Sequence, residues 1–533
     1  MNGPKNRGAY RRTTIILFLL ISISARTQEW VRTYGPNYWA DWVIEHYDHG
    51  IIILASSQDY KLGWIIKTDI NGSILWNKKI GNGQYTFAPT NIELTNDNGL
   101  VIAGTTSKYN NQQDAFILKL NTCGELIWCT DVYTPSIPFD LGWKVKKTND
   151  NGYILLGEFN DPNQEKRTNL FKFDFLGNLV WHQSYFPDSL VFGEDAQCLN
   201  VDSSGYVVHA RCYYPDPGQT TGIERFYLLK TDTSGKKLWS VVYGGDQWYY
   251  GYPSTSLISK TGGYYAFGKH DYISSGQEYP ALIKFLHNGT QSYNKDIMTN
   301  TNQGGLGAAS WMDDTTMLLA CGWVINTYTV GTMLKKTDTL GNQILAANLP
   351  NLSSGIVSMA KLIDKKFICL ATNFITSNTC YITAFKINSD LQWDSIYTRP
   401  FTYDSLCPHQ IVSDTIDPGC NLVVNVEEPI SNPETHQMHL FPNPTKGKLT
   451  IMLPKYLVVT DKTPPVQSRT IYHQWRSTTL LAYDLNGNQV FSQEIMKDQS
   501  QLELDVSSWS KGMYYFKLVY NGNSVDGKKV IAE

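Results

Sequence analysis

The chain has almost no charge imbalance, no cysteine pair at metal spacing, and no apolar run beyond its first 25 residues that could cross a bilayer. Lys+Arg 45 against Asp+Glu 48 leaves a formal charge of −3, which excludes a basic field for nucleic acid and an acidic tail. Nine cysteines, at 123, 129, 198, 212, 321, 369, 380, 407 and 420, form no Cys-x-x-Cys and no Cys/His cluster of zinc spacing, so no metal is read from the sequence. A nucleophile elbow, a phosphate-binding glycine loop and a zinc-protease helix are also missing, and no cofactor or catalytic residue is assigned. Aromatics are plentiful: they make up 13% of the chain, with 15 Trp and 33 Tyr, a usage suited to strands and to surfaces that stack on planar or sugar ligands.

One pattern, Lys-x-Asp-x-x-Gly-x-x-x-Trp, returns throughout. It is clean at Lys67/Asp69/Gly72/Trp76, Lys119/Asn121/Gly124/Trp128, Lys172/Asp174/Gly177/Trp181 and Lys230/Asp232/Gly235/Trp239. It is eroded at Lys284/Gly289/Tyr293, Lys336/Asp338/Gly341/Leu345 and Lys386/Asn388/Trp393. Copies at this spacing, each holding four short strands, are the mark of a β-propeller, and seven copies predict seven blades. Trp30-Val31-Arg32-Thr33-Tyr34-Gly35 matches Trp239 to Gly244, as would a fourth strand that closes the ring against the last blade. An eighth, incomplete blade is the competing count.

Two turns recur in each unit. Asn96-Asp97-Asn98-Gly99, Asn149-Asp150-Asn151-Gly152 and Asp202-Ser203-Ser204-Gly205 suit tight hairpins, and the Asp-x-x-Gly turn has an acid to accept turn amides and a glycine for left-handed geometry. The segment Glu45 to Gly50, with His46 and His49, aligns with the first of these turns and reads as a solvated hairpin turn. Trp76, Trp128, Trp181 and Trp239 are expected between blades, because a blade hides its faces only against its neighbours. The Asp-x-x-Gly-x-x-x-Trp element resembles the Asp-box of sialidase-like propellers and the Trp motif of quinoprotein propellers without matching either spacing; in both families the motif is structural. A quinone-dependent dehydrogenase is disfavoured for that reason and for want of an adjacent Cys pair.

Alternate loops of a meander lie on opposite faces, so the two regular turns share one side of the disc. On the other side the segments Tyr38 to Trp42, Gln84 to Phe87, Phe139 to Trp143, Phe192 to Asp195 and Trp248 to Tyr252 vary in length and are rich in aromatics. These are read as inter-blade loops forming the working rim, with Trp39, Trp42, Tyr85, Phe139, Trp248, Tyr249 and Tyr250 as candidate ligand-binding residues. Asp140, Glu194 and Asp195 are the acids a glycan-cleaving reading would use.

Lys5, Arg7, Arg11 and Arg12 precede the apolar run Thr14 to Ile21 and small residues at Ser22, Ser24 and Ala25, the pattern of a secretory signal peptide over 1–25. Export permits disulfides, and the expected pairings are Cys407 with Cys420, in the irregular linker 403–435, and Cys198 with Cys212, across one hairpin.

The repeats occupy 28–402, and a second β domain fills 436–533. Its landmarks are Leu440 to Ile451, containing Pro442-Asn443-Pro444-Thr445-Lys446-Gly447; Ala482 to Val490, with Gly487; Leu504 to Leu518, with Gly512; and Lys528-Lys529-Val530-Ile531. Alternating strand and turn signals suit an immunoglobulin-like sandwich. These blocks resemble the type A C-terminal sorting domain of the type IX secretion system of Bacteroidetes, with a longer insert at Lys455 to Trp475. The resemblance implies passage through the periplasm, recognition by the secretion machinery and its sortase-like peptidase, and release or surface attachment. It also implies that Pro442, Asn443, Pro444, Gly447, Gly487, Gly512, Lys528 and Lys529 serve targeting. The expected whole is an all-β, exported seven-bladed propeller with a sandwich tail that captures a glycan or protein; the alternative is a carbohydrate-active hydrolase or lyase.

Overall fold

In the computed structural model, residues 30–424 and 438–532 are described apart from short intervening stretches, the longest being 186–193, 215–222 and 454–477. The signal segment 1–25 and the insert around Lys455 to Trp475 lie outside the described residues.

Among the described residues the repeats form seven antiparallel sheets of four repeat strands each. The first blade comprises Tyr38–Glu45, Ile51–Ser57, Gly63–Thr68 and Ile74–Ile80. The second comprises Phe87–Leu94, Leu100–Thr106, Asp114–Leu120 and Leu126–Tyr133. Middle strands such as Ile51–Ser57 and Leu100–Thr106 are buried along their whole length, because both of their faces are covered by adjoining blades. Each inner strand packs on the next, and Ile356–Lys361 of the seventh blade packs on Tyr38–Glu45 of the first, so the ring closes. Val31–Tyr34 pairs antiparallel with Ile382–Phe385 as the outer strand of the seventh blade, the clasp expected from the sequence. Trp30 thereby takes the place that Trp393 of the eroded copy does not fill: Lys386 N donates to Trp30 O at 3.0 Å.

The repeat motif joins blades in three ways. Its lysine and tryptophan are cross-strand neighbours, as in Lys67↔Trp76, Lys119↔Trp128, Lys172↔Trp181 and Lys230↔Trp239. The tryptophan then lies under the turn glycine of the following blade. A Cβ added to Gly177 would stand 2.5 Å from Trp128, one on Gly235 2.8 Å from Trp181, and one on Gly72 2.9 Å from Trp30. Hydroxyls from the same outer strands donate to those glycine carbonyls: Tyr34 to Gly72 at 2.9 Å, Thr130 to Gly177 at 3.0 Å and Tyr185 to Gly235 at 2.6 Å. The turn acid caps its own turn, with Asp174 Oδ1 accepting from Leu176 N and Asn178 N, both at 2.9 Å.

The lysine has a partner that the sequence reading missed, the acid of the blade's first hairpin turn. The pairs are Lys67–Asp48, Lys119–Asp97, Lys172–Asp150, Lys230–Asp202 and Lys386–Asp364. In the fifth blade, where that turn lacks an acid, Lys284 lies 5.2 Å from the Tyr265 ring centroid instead. The Lys67 side chain is fully buried; removing one partner of such a pair strands the other charge, at about 3–5 kcal/mol.

Two expectations are corrected after residue 402. First, the segment 403–424 is not an irregular linker: it straps the first two blades. Asp414–Ile416 adds in parallel to the outer strand of the first blade and Asn421–Val424 to that of the second. Asp404 also engages Lys67, and its amide donates to Asp48 at 2.8 Å. The Glu45 to Gly50 turn is consequently covered, leaving His46 2% exposed and Asp48 7% exposed. Second, the disulfides are Cys123–Cys407 and Cys129–Cys420, with Cα separations of 5.6 and 4.4 Å. They pin the strap to the second blade, and the expected Cys407–Cys420 pair is not formed. Cys198 and Cys212 are buried unpaired thiols. They stand opposite His209 and Glu194, several rungs apart along one ladder, far beyond the ~5.5–6 Å a disulfide spans.

Among the described residues the tail forms two sheets, one of three strands and one of four, closed over Met438, Leu449, Ile451, Leu480, Phe516 and Leu518. Asn443 links the two most distant sorting blocks: its Oδ1 accepts from Ile531 N at 2.9 Å and its Nδ2 donates to Lys529 O at 2.8 Å. Gly447 O accepts from Val506 N at 2.9 Å, Gly512 opens the strand Gly512–Tyr520, and Lys528 and Lys529 lie on the last strand. Gly487 lies outside the described residues.

The contact between tryptophan and glycine is testable by comparing two alanine substitutions. Gly83 has φ +76° with nothing near its Cβ position, whereas Gly177 has φ +85° and meets Trp128. Gly83→Ala should cost about 1–2 kcal/mol from backbone strain alone, and Gly177→Ala about 1–3 kcal/mol more from overlap, read as a lower midpoint in thermal unfolding. Equal losses would show that the ring contact contributes nothing.

Candidate functional site

The side of the disc opposite the regular turns is shaped by one device used seven times. Every inner strand carries a β-bulge at the equivalent place: between Ala40/Trp42, Pro89/Asn91, Gly142/Lys144, Ala196/Cys198, Pro253/Thr255, Leu306/Ala308 and Ile356/Ser358. A bulge adds a residue and re-aims the side chains around it. Here it also stitches blades together, since Thr90 Oγ1 donates to Gly142 O at 2.8 Å and Ser254 Oγ donates to Leu306 O. The segments Tyr38 to Trp42, Asp140 to Trp143 and Trp248 to Tyr252, read from sequence as loops, therefore lie on the inner strands themselves. Strand extends further than their variable sequences suggest because the bulge absorbs the irregularity.

The candidate residues separate into distinct places. Trp42 of the first blade is half-buried, with Lys144 Nζ of the third blade 3.9 Å from its ring centroid, close enough for a cation–π contact. Asp41, on the bulge, accepts from Ser56 Oγ at 2.6 Å. Enclosure raises Asp41 to about 7 and lowers Lys144 to about 8, each group moderated by the other. Trp39 instead packs edge-on against Phe374 of the seventh blade, at 5.0 Å. Tyr85 is half-buried against the core shared by the first two blades. Phe139 lies outside the described residues, and so do the side chains of Trp248, Tyr249 and Tyr250, whose backbone belongs to the strand Trp248–Ile258.

The three acids of the hydrolytic reading are enclosed. Asp140 and Glu194 are 0% exposed and Asp195 is 1% exposed. Burial raises Glu194 to about 8, against the opposing effect of the Arg167 charge. Asp195 belongs to a network across the third and fourth blades that sequence reasoning missed. Lys166 Nζ lies 2.7 Å from Glu158 Oε1 and 2.8 Å from Asp195 Oδ1. Arg211 bonds Asp195 and lies 3.1 Å from Glu224, and Tyr213 donates to Asp195 Oδ2 at 2.7 Å. Burial and the Asp195 charge raise Glu158 to about 7, whereas Asp195 is held low by Lys166 and Arg211 despite its burial. Three carboxylates bound by a lysine, an arginine and a tyrosine make a satisfied ionic network, and it offers no free carboxylate pair.

Residues 439–533 match the secretion system C-terminal sorting domain. The tail thus carries a type IX sorting signal, and the chain is exported to a secreted or cell-surface location. Comparison with curated proteins finds no match. Among solved structures, the β-propeller domain of the Trilobed protease from Pyrococcus furiosus, which has an open velcro topology, is 10% identical, with 68% of this chain and 99% of that one covered and a TM-score of 0.40. An α-L-arabinofuranosidase from Fusarium graminearum, in complex with an iminosugar inhibitor, is 10% identical over 68% of this chain and 99% of its own, with a TM-score of 0.37. Drosophila Semaphorin 2a is 8% identical over 95% and 98%, with a TM-score of 0.42.

A carboxyl group whose folded-state pKa lies above its unfolded value holds a proton that the unfolded chain has lost. Its stabilising contribution is present at low pH and disappears as pH rises through the folded value. Glu194, raised to about 8, should therefore make the chain less stable between pH 5 and 8.5. Glu194→Gln should flatten that decline by a few kcal/mol of unfolding free energy. Denaturant unfolding across this range checks it; an unchanged slope in the variant would contradict a neutral buried Glu194.

Proposed function

We propose that the propeller is an exported, non-catalytic binding module, and that its ligand, a glycan or a protein, is engaged on the bulged side of the disc. The observation that carries this reading is the group formed by Trp42, Lys144 and Asp41. Here an aromatic face, a cation and an acid from two non-adjacent blades meet half-buried on the inner strands. An aromatic flanked by opposite charges suits stacking on a sugar ring or an apolar side chain while polar neighbours fix orientation.

The competing reading, a carbohydrate-active hydrolase or lyase, is disfavoured by the enclosure of Asp140 and Glu194 and by the saturation of Asp195. A general acid and its partner must reach the glycosidic bond from a groove. We further infer that 1–25 is removed on export, and that the sorting domain is recognised by the type IX machinery and cleaved by its sortase-like peptidase.

The full chain should bind saturably to a member of a broad glycan and matrix-protein array and release no reducing sugar from it. Trp42→Ala should weaken that binding about tenfold or more, the effect of truncating an aromatic anchor, and Trp42→Phe should restore most of it. Sugar release would overturn the reading in favour of the enzyme; binding indifferent to Trp42→Ala would move the site elsewhere.

A further inference from the structure

The Glu158–Asp195–Glu224 network is matched by close cations, but a second group of acids, in the second blade, has among the described residues only the long Lys108–Asp131 ion pair. Asp114 is 0% exposed, and neither of its carboxylate oxygens has a hydrogen-bond partner. Asp131 is 1% exposed; its Oδ1 has no partner, and its Oδ2 accepts from Tyr109 at 3.2 Å. The nearest cation, Lys108 Nζ, stands 3.9 Å away and is partly exposed.

Strand pairing places these acids together. Thr106 is the cross-strand partner of Asp114, and Phe116, two residues beyond Asp114, is the partner of Asp131. Paired residues and their i+2 neighbours share one face of a sheet, so Thr106, Asp114 and Asp131 lie on the same side of the blade. Thr106 is 1% exposed and its hydroxyl is likewise without a partner. Buried polar atoms are almost always satisfied, and an unsatisfied group calls for a water or an ion. Here every orphan is an oxygen and two of the side chains are acids.

We propose that Asp114, Asp131 and Thr106 contribute to a calcium site between the first and second blades. The oxygen-only donor set selects a hard cation, and Ca²⁺ accepts six to eight oxygens at flexible geometry, whereas Mg²⁺ demands a strict octahedron and sheds water reluctantly. Cys129 and Cys420 also lie within 4.8 Å of Asp131, but their sulfurs are joined in a disulfide and supply no thiolate for a soft metal. That disulfide gives the site a consequence. The ion would neutralise two buried acids beside the point where the strap strand Asn421–Val424 is fastened to the blade, so calcium should stabilise the strapped ring.

The test uses the full chain, freed of metal by chelation and held at pH 8. Titration with CaCl₂ in a calorimeter should show one saturable site, and the thermal midpoint should rise with calcium by mass action. MgCl₂ at equal concentration should give a far smaller rise. Asp114→Asn should abolish the calcium heat and the calcium-dependent shift, while its midpoint without metal stays at or above that of the unaltered chain, since an unpaired buried charge has been removed. Thr106→Val, which keeps shape and deletes one oxygen, should weaken calcium binding about tenfold. Absence of a saturable calcium heat in the unaltered chain would overturn the proposal. So would an equal response to magnesium, or an Asp114→Asn variant that is folded and binds calcium unchanged.

Discussion

A propeller blade cannot bury its own faces, so everything in this ring depends on the contact that each blade makes with the next. Where the repeat is intact, that contact is a tryptophan of one outer strand laid under the turn glycine of the following blade, and at Gly177 and Gly235 a hydroxyl from the same strand also donates to the glycine's carbonyl. Trp30 and Tyr34 make the same contact with Gly72, although they come from the opposite end of the repeat array. The first strand is therefore an intrinsic part of the seventh blade, and the ring is fastened where it would otherwise open.

The turn side is committed to structure. Its lysines answer its hairpin acids, its Asp-x-x-Gly turns cap themselves, and over the first two blades the strap adds a fifth strand to each sheet, pins itself by two disulfides and covers Lys67 with Asp404. Outer strands left unpaired are open edges, and the strap removes two of them. The opposite side is freer. Its bulges keep the strand ladder while allowing the residues around them to differ from blade to blade, so Trp42, Lys144 and Thr90 occupy related places and do unlike things.

Much of this was legible in the sequence, and the reasons are local. Spacing between Lys67 and Trp76 and its successors reports a hairpin register, so the strand order, the two turns and the clasp at Val31–Tyr34 could be read from a repeating pattern. The sorting blocks are likewise short and contiguous. What escaped depended on pairing between distant segments. Cys407 and Cys420 looked like partners because they are neighbours in sequence, yet their mates lie in the second blade. The available clue was that Cys123 falls within one copy of the motif and Cys129 directly after it, where the other clean copies have no cysteine, a sign that something covers that blade alone. The loops that proved to be strands were misread because a bulge breaks alternation. The oxygen cluster around Asp114 has no sequence spacing at all, since only the register of three strands assembles it.

Hydrogen exchange in the native full chain tests ring closure most directly. If the N-terminal strand is the outer strand of the seventh blade, amides of Val31 to Tyr34 that pair with Ile382 to Phe385 should exchange as slowly as those partners and open only with the blade. Exchange of Val31 to Tyr34 at the rate of a frayed end, with Ile382 to Phe385 losing protection as an open edge, would contradict the account.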